Sequence, residues 1–116
     1  MEIDYFAESE FRKCVPACEK SKMDKDFMKR LNRARRIAGI PFVLNCAYRT
    51  KEWDIAKGRT GNSYHTLGRA VDIRCLDSDS RYCMVRALLS AGFNGIGIAN
   101  TYIHVDDRAR KLIYLY

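Results

Sequence analysis

Only two imidazoles occur in the sequence, His65 within GNSYHTLGRAVDIR and His104 within YIHVDDR. Asp72 lies between Val71 and Ile73, and His104 lies between Ile103 and Val105. A polar residue between two β-branched apolar ones reads as strand alternation, with the polar side chain on one face and its neighbours on the other. If the two strands pair antiparallel, Asp72 and His104 stand side by side with Cβ atoms about 4.5–5.5 Å apart. That separation suits two ligands of one zinc ion, whose bonds to nitrogen or oxygen are about 2 Å. His65 precedes the first strand in a glycine-bounded loop, which can fold back and supply a third ligand. Two histidines, one carboxylate and a water make a tetrahedral site with an open position, as catalytic zinc requires. The competing reading of these residues is plainer: surface or core histidines, and an Asp72 paired with an arginine.

The run SYHTLGRAVD resembles the Ser-x-His-x-x-Gly-x-Ala-x-Asp signature of the zinc D-alanyl-D-alanine carboxypeptidases and their relatives. That group includes the phage L-alanyl-D-glutamate endolysins and the hedgehog-like fold. IHVD resembles the second signature of the group, and AYRT resembles its upstream tyrosine–arginine element. The three elements come in the family's order and span residues 47–106. The resemblance implies His65, Asp72 and His104 as ligands of a zinc cofactor on a small central antiparallel sheet flanked by helices. It implies that Arg49 engages a substrate carbonyl or carboxylate, for which a planar donor fork is suited; the alternative is a salt bridge fastening the loop. Ser63 is implied as a hydroxyl lining the substrate, with a turn or capping role as the alternative. Gly68 and Ala70 are implied as small scaffold residues.

The sequence departs from the family at the catalytic base. Many members carry glutamate three residues before the last ligand, where this chain has Thr101; another branch has histidine two residues before it, where this chain has Tyr102. Asp106 is the best substitute, because alternation places it on the face of His104, about 6.6 Å along the strand. It either shuttles the proton or orients a ligand. Asp107 and Glu52 are weaker candidates. The expected function is hydrolysis of peptidoglycan stem peptides, of D,D-carboxypeptidase or endopeptidase type. The alternative is a non-catalytic, zinc-stabilised module that binds wall peptide, which would account for the missing glutamate.

Elements must position these groups. A helix is expected over 24–38, capped by Asp24, with Phe27, Leu31, Ala34 and Ile37 or Ala38 as its apolar stripe and Gly39 as its stop. FVLNCAY reads as a strand over 42–48 with Arg49 at its end. Residues 50–64 read as a loop with a helical turn around Trp53. Strands are expected over 70–74 and 102–106 and in the LIYLY segment. A second helix is expected over 79–91, with Tyr82, Val85, Leu88 and Leu89 inward. Gly95 and Gly97 mark a tight turn or short strand. Tyr5, Phe6 and Phe11 are expected to cover one side of the core, and Pro16 interrupts any continuous helix. With no strict βαβ rhythm, the expected class is α+β in one domain, 1–116.

The formal charge of +7, from 21 basic and 14 acidic side chains, favours anionic partners. Lys29, Arg30, Arg33, Arg35 and Arg36 crowd one helix face, but no aromatic–basic stacking pattern accompanies them, so nucleic acid is not the expected partner. No segment reaches the length of a membrane span. The acidic opening, MEIDYFAESE, has no apolar run and is not expected to be a leader. The five cysteines, an odd count, are expected to be reduced and mostly buried, without a required disulfide. Together with the resemblance, this implies a short phage-type protein made in a bacterial cytoplasm and acting on the cell wall. Oligomeric state is not legible.

Overall fold

The computed structural model describes residues 4–116. Four helices, α1 (Glu8–Arg12), α2 (Lys25–Ala38), α3 (Lys51–Ala56) and α4 (Ser78–Ser90), accompany five strands, β1 (Leu44–Cys46), β2 (Ala70–Arg74), β3 (Gly95–Ile98), β4 (Tyr102–Asp106) and β5 (Leu112–Leu115). The strands form one sheet in the order β1-β2-β4-β3-β5. The class is α+β, as expected. The sheet is antiparallel except at one edge, where β5 pairs parallel to β3, so it is mixed.

Alternation divides the sheet into two faces. Val71, Ile73, Ile96, Ile103 and Val105 point to the apolar side, where they join Phe27 and Leu31 of α2, Leu88 of α4, and Phe93 in one buried cluster. Each such side chain contributes about 1.5–3 kcal/mol on burial, so this layer holds the sheet flat against the α2–α4 pair. Asp72, His104 and Asp106 fall on the other face.

The α2 helix starts where Asp24 accepts a hydrogen bond from the Phe27 amide at 2.9 Å, and it stops at Gly39 in the left-handed conformation. Its stripe closes with Ala38, which packs on the core, while Ile37 is exposed. The inward face of α4 holds Leu88 and Val85 as expected and differs at the other two positions. Met84, Ala87 and Leu88 are buried, whereas Tyr82 is 73 % exposed and Leu89 48 % exposed. Asp77 caps α4 through the Ser80 amide, and that start fixes a helical phase turned away from Tyr82. Phe6 and Phe11 cover the core as expected; Tyr5 is exposed. β1 is shorter than the FVLNCAY run because its register against β2 is irregular between Leu44 and Cys46. No helix among the described residues is long and apolar enough to cross a membrane.

Candidate metal centre

The central strand pair delivers two of the expected ligands. Asp72 on β2 stands opposite His104 on β4 in the antiparallel register, and Asp72 Oδ1 lies 3.1 Å from His104 Nδ1. His65 comes from a 3-10 turn, Tyr64–Leu67, that runs into β2. Gly68 ends that turn at φ +69°, and a Cβ there would sit 2.3 Å from the Lys22 carbonyl. The Gly68 carbonyl accepts from the Asp24 amide at 2.9 Å, so the turn is docked on the start of α2. This brings His65 Nε2 to 3.4 Å from Asp72 Oδ1.

The outer nitrogens decide what the inner ones can do. His65 Nδ1 lies 2.7 Å from the Ala47 carbonyl, which can only accept, so Nδ1 carries the proton and Nε2 keeps its lone pair toward Asp72. His104 Nε2 lies 2.7 Å from Asp106 Oδ2, which leaves Nδ1 facing Asp72. Both imidazoles are therefore held from behind by an acceptor and present their other nitrogen to one carboxylate oxygen. Metal-binding histidines have this arrangement, in which the outer partner fixes the tautomer and the ring plane.

Electrostatics agree. Burial opposes charge on Asp72, but the neighbouring His104 and His65 rings outweigh it and hold this carboxyl well below the usual range. Burial likewise opposes charge on His104, yet Asp106 and Asp72 outweigh it and raise its pKa. In the metal-free chain a proton is drawn to the position that a cation at Asp72 would claim, and metal and proton compete for the same lone pair. The donor set of two imidazoles and a carboxylate suits zinc. One further donor is present that was not foreseen as a ligand. The ligand atoms of Cys46, His65 and Asp72 all lie within 4.8 Å of one another. His104 lies outside this trio and touches it at Asp72, 3.1 Å away. Burial first, then Asp72, push the Cys46 thiol up to about 12.

Asp106 sits where alternation places it, but it is committed. Oδ2 takes His104 Nε2 and Arg108 Nη2 at 2.6 Å; Oδ1 takes the Arg108 amide at 3.1 Å and Arg108 Nε at 2.8 Å. It is fully buried, across the imidazole from Asp72. This favours the orienting alternative over the proton shuttle. Asp107 is held by Arg69 at 2.9 Å, Glu52 is exposed on α3, and Thr101 is exposed before β4. Gly95 makes room for the Asp106–Arg108 pair, since a Cβ there would lie 2.1 Å from Asp106 Oδ1. Gly97 makes room for Tyr114 and Tyr116, whose rings lie 6.1 and 6.0 Å from that of His104.

Arg49 is buried and held by three neighbours. Its Nε is 3.0 Å from Asp54 Oδ1, an ion pair without hydrogen-bond alignment. Its Nη2 donates to Ser63 Oγ at 3.2 Å, and its Nη1 points to Cys46 Sγ at 3.8 Å. The salt bridge of the alternative reading is present, since Arg49 is held by Asp54, and the side chain also lines a groove. That groove, of about 530 Å³, contains Arg49, Cys46, Asp72, Trp53, Arg59 and Tyr102 along its walls. A groove of about 630 Å³ beside α2 has neither histidine nor cysteine in its lining and lies outside this chemistry.

The Peptidase M15 family model matches residues 4–106. The chain belongs to the Peptidase M15 family. No curated protein matches it. Membership makes this M15 chain a zinc metallopeptidase of the kind that acts on cell-wall peptides. Among the residues around the candidate site that were not anticipated from sequence are Asp54, Arg108 and Cys46. Asp54 lies five positions after Arg49 at the helical turn around Trp53, a spacing that could have suggested a partner. Arg108 follows Asp106 by two, which could have suggested that the carboxylate is not free. Cys46 lies in the strand that leads to Arg49.

Proposed function

We propose that this chain hydrolyses peptide bonds of peptidoglycan stem peptides, as a carboxypeptidase or endopeptidase, with His65, Asp72 and His104 holding a catalytic zinc. The observation that carries the reading is the convergence of His65 Nε2 and His104 Nδ1 on Asp72 Oδ1, each ring held from behind. Zinc bound there would supply Lewis acidity to the scissile carbonyl and to the attacking water. Arg49 Nη1 at the groove wall donates to the substrate carbonyl or carboxylate, and Asp54 and Ser63 hold the guanidinium in place for that task. Ser63 lines the substrate through this contact. Asp106 holds the His104 tautomer, with Arg108 keeping Asp106 ionised. The phage origin expected from the resemblance rests on that resemblance alone.

A second reading has one observation in its favour. Thr101 and Tyr102 occupy the positions of the family's base, and Asp106 is committed elsewhere, so the chain could bind wall peptide without cutting it. Metal analysis of protein purified without chelator, paired with mass spectrometry of digested peptidoglycan, separates the two. The expected result is about one zinc per chain and released stem-peptide fragments. Bound zinc without fragments would establish the binding module, and failure to take up zinc would refute both.

A further inference from the structure

Resting on that reading of the metal centre, we propose that Cys46 is a fourth protein ligand, its thiolate closing the coordination sphere while no substrate is present. Four of the five cysteines have ordinary partners: Cys14, Cys18, Cys75 and Cys83 point their sulfurs at backbone carbonyls. Cys46 differs. Its sulfur lies beside His65, 3.8 Å from the Nδ1 that faces Ala47, and 3.8 Å from Arg49 Nη1. In the register of β1 on β2 it stands opposite Asp72.

The distances fit one ion. With bonds of about 2.3 Å to sulfur and 2.0 Å to nitrogen or oxygen, neighbouring ligands of a tetrahedral zinc stand about 3.5 Å apart. Cys46, His65 and Asp72 each have a potential ligand atom within 4.8 Å of the others, and a rotamer change at Cys46 would carry its sulfur from the Nδ1 side of His65 toward Asp72 and the Nε2 side. When the sulfur–metal bond forms, the thiol proton leaves to solvent and no electron is transferred.

Two consequences follow. A soft ligand biases the site toward zinc, cobalt or cadmium and away from magnesium and calcium. A site with four protein ligands is closed, whereas catalysis needs an open position; water or substrate must then displace Cys46. The groove exposes that exchange, because Cys46, Arg49 and Asp72 line it together.

The test uses the whole chain stripped of metal. On titration with cobalt(II), the parent should develop a sulfur-to-cobalt charge-transfer band in the near ultraviolet, and Cys46→Ser should bind cobalt with its visible bands but without that one. A second measurement needs no variant. With free zinc at about 100 times Kd, only about 1 % of sites are unliganded, so iodoacetamide alkylation of Cys46, followed by peptide mass spectrometry, should slow about 100-fold. Cobalt uptake without the band, a band that survives in Cys46→Ser, or unchanged alkylation would each overturn the fourth ligand while leaving the peptidase reading intact. Absence of any metal uptake would overturn both.

Discussion

Replacing Asp106 with asparagine separates its two possible roles. The parent carboxylate accepts four hydrogen bonds, from His104 Nε2 and from the Arg108 amide, Nε and Nη2. Asparagine has one acceptor oxygen and one donor NH₂. If the oxygen takes the place of Oδ1, it keeps the Arg108 amide and Nε, and the NH₂ faces His104 Nε2. The imidazole must then accept at Nε2 and carry its proton on Nδ1, where the lone pair toward Asp72 is lost. If the amide flips, the NH₂ faces two Arg108 donors, and that clash expels the pair. In the first case His104 is presented as the wrong tautomer, and in the second it loses the partner that holds its ring. Loss of such an outer partner typically costs about 10- to 100-fold in metal affinity or activity, or about 1.4–2.8 kcal/mol. The assay is zinc affinity by chelator competition beside kcat/KM on a stem peptide, both on Asp106→Asn. The expected result is affinity and activity falling together. Unchanged affinity with hydrolysis down about 10²- to 10⁴-fold, the usual span for a lost general base, would refute the orienting role and restore the proton shuttle.

Gly95→Ala should mimic that defect without replacing a charged residue, because the new Cβ would fall 2.1 Å from Asp106 Oδ1 and 2.7 Å from Arg108 Nε; zinc affinity should drop about 10- to 100-fold. Gly97→Ala meets only tyrosine ring atoms and should cost less in the same titration. Arg49→Lys keeps the charge and loses the planar fork, so kcat should fall, by up to about 10²-fold, with zinc still bound; kinetics equal to the parent would reduce Arg49 to a loop fastener. Asp54→Ala leaves the Arg49 charge buried without its partner and should destabilise the fold by about 3–5 kcal/mol in urea. Finally, burial opposes charge on Asp106, but Arg108 and His104 outweigh it and depress its pKa below the unfolded value. The stability this gives is therefore present above the unfolded value, about 3.9, and is lost as pH falls below it. Urea unfolding of the chelated chain at pH 6 and pH 3 should show this loss, and Asp106→Asn should show less of it.

The parts of the site written in local pattern were legible. Val71-Asp72-Ile73 and Ile103-His104-Val105 gave strands whose bounds, 70–74 and 102–106, match β2 and β4, and their pairing sets Asp72 against His104. Asp24 and Gly39 gave the limits of α2 because capping is a short-range affair. What sequence left open depends on contacts across the chain. The parallel pairing of β5 with β3 brings Tyr114 and Tyr116 to His104, and nothing in LIYLY announces its partner strand. The inward face of α4 was misjudged because Tyr82 and Leu89 fit an apolar stripe as well as Met84 and Ala87 do; only packing against α2 chooses between the two phases. Arg35 was counted on an open basic face, yet it pairs with Glu10 and lies over Phe6, contacts that require the N-terminal segment in place.

The third strand carries an implication for how this sequence can vary. Gly95 and Gly97 face the metal side, where a side chain would strike Asp106 or the tyrosines; Ile96 faces the other way and is fully buried. Gly95 and Ile96 are thus closed to substitution, one by collision and one by loss of packing, and Gly97 takes a side chain only if the tyrosine rings shift. The outer side of α4, with Tyr82 and Leu89 in solvent, has no such constraint. A saturation library across residues 78–98 should divide into a permissive helix surface and a strand that rejects nearly every exchange. Random drift would accumulate on the helix side and leave Gly95 and Ile96 as a fixed spelling.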